Sequence, residues 1–106
     1  MLMVIDDIRD LLTAPGPAVS KTFLERVDAT LTDGYAHVLQ LEGERWRVEQ
    51  RIAEVVASLP AEADREHEPE LVALAARLRT SNESIAGLRA LLTSLRERRS
   101  ELRKAA

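Results

Sequence analysis

The sequence predicts an all-α fold: a long antiparallel, coiled-coil-like helical hairpin preceded by a short N-terminal helix. Three observations carry it. An unbroken heptad runs from Leu24 to Leu59, with Leu24, Leu31, Val38, Arg45, Ile52 and Leu59 at a and Val27, Gly34, Leu41, Val48 and Val55 at d. A second heptad of nearly equal length has Leu71, Leu78, Ile85, Leu92 and Arg99 at a and Leu74, Ser81, Leu88, Leu95 and Leu102 at d. Between the two stand Pro60 and Pro69. Apolar residues spaced alternately by three and four keep one face of an α-helix apolar, and their repetition over many turns marks a helix seated against another helix.

Composition agrees with this architecture. In a chain of 106 residues, glycine and proline number four each, aromatics make up 3% and charged residues 31%, the profile of a single domain of surface-charged helices. Cysteine is absent, which excludes disulfides, thiol catalysis and thiolate metal sites. No run approaches the roughly 18 apolar residues of a membrane helix. The start, Met1 to Asp7, has no basic segment and meets Asp6 and Asp7 almost at once; it does not resemble a signal peptide, and the expected compartment is the cytoplasm.

The first element is an amphipathic helix over 2–13, with Leu2, Ile5, Ile8 and Leu12 on one face and Asp6 and Asp7 assigned to its first turn, where acids suit the helix dipole. Ala14-Pro15-Gly16-Pro17 ends it, because prolines lack donors and restrict the residues before them. The long helix is expected over 18–59, its heptad stretch alone roughly 54 Å long at the usual rise per residue. Asp33-Gly34 looks locally like a turn, yet the heptad passes through it in phase, so one continuous helix is expected. Gly43 falls on the outer f position. Residues 60–68 form a polar, acidic connection, and Pro69 opens a second helix over 69–104, with Glu68 and Glu70 at its positive end and Arg103 and Lys104 at its negative end.

A short connection makes the two long helices antiparallel. Facing residues whose numbers sum to 126 pair Val55 with Leu71, Ile52 with Leu74, Val48 with Leu78, Arg45 with Ser81 and Gly34 with Leu92. The alignment seven residues away would bury Arg45 and Ser81 among hydrocarbons. The pair Arg45 and Ser81 is therefore read as a polar seam layer that fixes register. Charge supports an antiparallel arrangement: residues 1–76 carry a net −8 and residues 77–106 a net +5, giving −3 for the whole. Asp28, Glu42 and Glu49 at e can approach Arg89, Arg96 and Arg103.

The seam leaves apolar residues over. Tyr35, Leu39, Trp46 and Val56, with Ala53, form a second stripe at b and e, while Phe23 and Leu91 add bulk at g. A stripe of several large apolar residues left in water is a solubility liability. The short helix is expected to cover part of it and a second copy of the chain the rest, two hairpins making a four-helix bundle.

Constellations for chemistry are sparse. His37 and His67 are the only histidines and lack the repeated Glu-x-x-His pattern of bundle metal sites. No Ser/His/Asp arrangement or Gly-rich phosphate loop is present, so no catalytic residue, metal or cofactor is assigned. Arg96, Arg98, Arg99, Arg103 and Lys104 are candidate phosphate contacts, but Glu97 and Glu101 interleave with them and no aromatic lies nearby. In size and hairpin architecture the chain resembles the WXG-type helical hairpins, whose turn carries Trp-x-Gly; here Trp46 lies inside the first arm, followed by Arg47 and Val48, and no family follows from it. The expected function is a noncatalytic interaction or scaffold protein acting through self-association and an unidentified protein partner. The alternatives are a nucleic-acid-associated regulator using the basic C-terminal arm and a small helical-bundle enzyme or ligand binder.

Overall fold

The structure, a computed structural model, describes residues 2–13, 21–58 and 67–105. It is all-α, a short N-terminal helix and two long packed helices: α1 (Leu2–Thr13), α2 (Lys21–Ser58) and α3 (Glu68–Ala105). Of the connection expected over 60–68, residues 60–66 lie outside the described residues, as do the Ala14–Pro17 break, residues 18–20 and Leu59, whereas Glu68 already belongs to α3, one residue before the expected start at Pro69. α2 is continuous through Asp33-Gly34 and through Gly43. Asp6 and Asp7 are not in the first turn of α1, which starts at Leu2; they fall one turn later, too far to complement the N-terminal amides. Glu68 and Glu70 do stand in the first turn of α3, with Arg103 and Lys104 in its last.

The chain divides into two compact units. One comprises Met1–Leu39 with Ala86–Ala106, the other Gln40–Ile85. In the first unit, Val27, Val38, Leu88, Leu92, Leu95 and Leu102 are buried seam residues of α2 and α3, joined by Ile8 and Leu11 of α1. The antiparallel sense follows from Asp28 pairing with Arg99 and from Gly34 lying against Leu92. A Cβ built on Gly34 would overlap Leu92 Cδ2 and stand 3.3 Å from its Cγ. Glycine is thus required here by close approach of the helices, and Gly34 with Leu92 is the pairing of the alignment summing to 126.

A short helix must bury its apolar face on something, and Ile8 (0% exposed) and Leu11 (2%) are fully enclosed. The coverage of α2 and α3 shows where α1 sits. In this unit every described residue of those helices that is buried or half-buried occupies a, d or g: the seam at a and d, and Phe23, Thr30, His37, Leu91 and Arg98 at g. The e and b positions are all exposed, Tyr35 and Leu39 among them. So α1 docks on the g side and does not cover Tyr35 or Leu39. Phe23 and Leu91 explain the choice, since they extend the apolar seam towards g on both long helices.

In the second unit Val48, Val55 and Leu74 form a buried cluster against which Ile52, Leu71 and Leu78 pack. Leu41 and Ile85 are also buried. The g residues Glu44, Arg51 and Arg77 are exposed, while Glu70 and Ser84, also at g, are half-buried. Arg51 reaches across from α2 to Glu70 on α3, 2.7 Å from its Oε1, and also meets Glu54 at 3.4 Å. The hydrogen bond and charge of Glu70, followed by those of Glu54, push the Arg51 pKa upward and keep the guanidinium charged.

Candidate functional site: the exposed face of α2

Tyr35, Leu39, Trp46 and Val56 all lie on the exposed surface of α2, at 41%, 71%, 61% and 54% exposure. Tyr35 and Leu39 belong to the first unit and Trp46 and Val56 to the second, and in each unit they stand at b and e, beside the seam. Among the described residues Met3 and Val72 are the other large apolar residues found exposed, but neither belongs to a stripe.

Arg45 is half-buried, with about a third of its side chain exposed, and is solvated from the seam's edge. Its Nη1 donates to Asn82 Oδ1 at 3.3 Å, while Glu49 Oε1 lies 3.6 Å from its Nε and Glu42 Oε2 3.9 Å from its Nη2. The cross-helix partner is therefore the residue after Ser81. A long guanidinium at an a position can leave the seam towards e, where Asn82 stands and water completes its solvation. Ser81 itself is half-buried. Because these contacts are partly exposed, Arg45→Leu is expected to change stability by less than about 1 kcal/mol, with any change towards greater stability. Urea unfolding of the two proteins checks this, and a loss above about 2 kcal/mol would make the guanidinium structurally essential.

The cationic arm is drawn into local pairing. Arg99 donates from Nε to Asp28 Oδ1 and from Nη2 to Oδ2 at 3.4 Å, a two-pronged contact. Asp28, expected opposite an e-position arginine, is met instead by the seam residue Arg99, which swings outward and so spares its guanidinium burial. Arg98 is half-buried on the g side, while Arg96, Arg103 and Lys104 are exposed. Beside the Asp28–Arg99 pair lies an open groove of about 870 Å³, lined by Leu31, Tyr35, Thr93 and Ser100 and by charged side chains of both signs. Arg96, Arg99 and Lys104 are balanced there by Asp28, Glu97 and Glu101, so the groove has no excess of cations with which to draw a polyanion.

Among the described residues, no group of three His, Cys, Asp or Glu is placed to hold a metal ion. His67 Nδ1 stands 3.7 Å from Glu70 Oε2, and His37 Nε2 is buried on the g side without a hydrogen-bond partner. Nor is any helix long and apolar enough, among the described residues, to cross a membrane. Comparison with protein-family models, curated proteins and solved structures returned no match to this chain.

Proposed function

We propose that this chain is a noncatalytic interaction protein: a helical hairpin that self-associates as a homodimer through the outer face of α2 and thereby presents a four-helix scaffold to a protein partner. The observation that supports the reading is the exposure of Tyr35, Leu39, Trp46 and Val56, while in the first unit α1 packs on the g side, away from Tyr35 and Leu39. A helix whose apolar stripe no described element covers gains by burying it between copies, since removing each large apolar side chain from water is worth roughly 1.5–3 kcal/mol. Twofold pairing is the commonest way for a single chain to do so. The balanced charges around the C-terminal arm favour a protein partner over nucleic acid.

Sedimentation equilibrium tests the proposal. Wild-type protein at high micromolar concentration is expected at twice the chain mass of 11.8 kDa, and Trp46→Glu at the mass of one chain with its helix content kept. A wild-type monomer throughout the concentration range would overturn the reading.

A further inference from the structure

We propose that the second compact unit carries a binding site for a small monocarboxylate with a short apolar chain, in the groove between α2 and α3 on the g side of the seam. The site grows out of the underfilled layer at Arg45 and Ser81. Arg45 occupies an a position, but its guanidinium leaves towards e, where it meets Asn82, Glu42 and Glu49. Ser81, at a d position, is too short to fill the space that Leu74 and Leu88 fill at neighbouring d sites. A groove of about 410 Å³ opens at this layer, with Val48 and Ser81 in its lining. Its volume lies within the roughly 300–1,000 Å³ of small-molecule sites. Every lining residue belongs to the unit Gln40–Ile85, so α2 and α3 form the site without α1.

The rim sets the ligand class. Arg47 on α2 and Arg77 on α3 are exposed and flank the groove together with Glu44. Glu44 and Arg77 are related across the seam as Arg51 and Glu70 are one heptad on, where a guanidinium nitrogen comes within 2.7 Å of the carboxylate. At the groove no such bridge closes: among the described residues, no ion pair or hydrogen bond engages Arg47 or Arg77. The Thr80 hydroxyl donates to the Ala76 carbonyl at 3.1 Å, whereas that of half-buried Ser81 has its proton to give. Guanidinium forks match a carboxylate. Two cations and one anion leave a single positive charge for it, and the second charge of a phosphate dianion would be brought up to Glu44. Val48, Ala76 and the aliphatic stems of the arginines offer the hydrocarbon end an apolar wall. In this unit Trp46, at b, lies on the other side of the seam, so the site does not depend on self-association.

Hexanoate is the probe, titrated into the full chain and followed by backbone amide shifts in heteronuclear NMR. The amides of 44–48 and 76–81 are expected to shift saturably. Hexanol and inorganic phosphate, each lacking one half of the match, are expected to bind at least about tenfold more weakly. Arg47→Gln and Arg77→Gln each remove a charge-assisted hydrogen bond, and hexanoate affinity is expected to fall about tenfold in either. Ser81→Leu fills the layer with the residue type of the neighbouring d sites; it is expected to keep its helix content, unfold at higher urea and lose the saturable shifts. Since that variant gains seam packing, its loss of binding cannot come from a folding defect. The site is overturned by a wild type without saturable shifts, by hexanoate binding left unchanged in Ser81→Leu or in either arginine variant, or by phosphate or hexanol binding as tightly as hexanoate.

Discussion

Leu95→Ala is expected to destabilise the protein by about 2–5 kcal/mol, the largest loss from any single seam truncation. Leu95 is 0% exposed, on α3 in the unit that also encloses Ile8, Leu11 and Val27. Three helices contribute to that unit, so the space left by the side chain is walled on more than one side and cannot collapse as a two-helix seam can. The loss combines the transfer of the removed methyl groups with the cavity that remains. Denaturant unfolding followed by circular dichroism measures it. Val72→Ala, at a site 71% exposed, is the matched control and is expected within about 0.5 kcal/mol of wild type.

Gly34→Ala and Gly87→Ala are expected to move stability in opposite directions, although both replace a glycine inside a helix. An alanine relieves the helix of about 1 kcal/mol of glycine's unfavourable propensity. At Gly87 nothing lies within 4 Å of the added Cβ, and the gain should appear in full. At Gly34 the new methyl overlaps the end of the Leu92 side chain, which is 1% exposed and must shift within the seam. Forcing extra volume into a packed seam costs about 1–3 kcal/mol, enough to cancel the propensity gain and leave a net loss. Thermal unfolding of the two variants should therefore shift up for Gly87→Ala and down for Gly34→Ala. Equal upward shifts would mean that the helices can part at Gly34 without penalty.

The seam was legible in the sequence because burial at a and d repeats for about ten turns, and Gly34 could be passed over as a break because the phase continues beyond it. The packing of α1 was not legible to the same degree. Its apolar residues show that it must be covered, but the side of the hairpin it chooses depends on Phe23 and Leu91 both standing at g, a signal carried by two residues rather than by a repeat. Reading the stripe of Tyr35, Leu39, Trp46 and Val56 as the more extensive apolar surface led to the wrong side for α1. Arg45 and Arg99 illustrate a second limit. A heptad position locates a Cα, whereas a guanidinium several bonds away settles where water and a carboxylate or amide are within reach. Hence Arg45 bonds to Asn82 rather than Ser81, and Asp28 pairs with Arg99 rather than with an e-position arginine.

The central claim is that the outer face of α2 is the contact between copies, and Trp46 reports on it directly. It is the only tryptophan in the chain and 61% exposed in the isolated hairpin. Its fluorescence should move to shorter wavelength as protein concentration rises, over the same range in which the sedimenting mass doubles, because pairing removes the indole from water. A doubling of mass with the emission of Trp46 unchanged and water-like throughout would place the contact on another face and contradict the account.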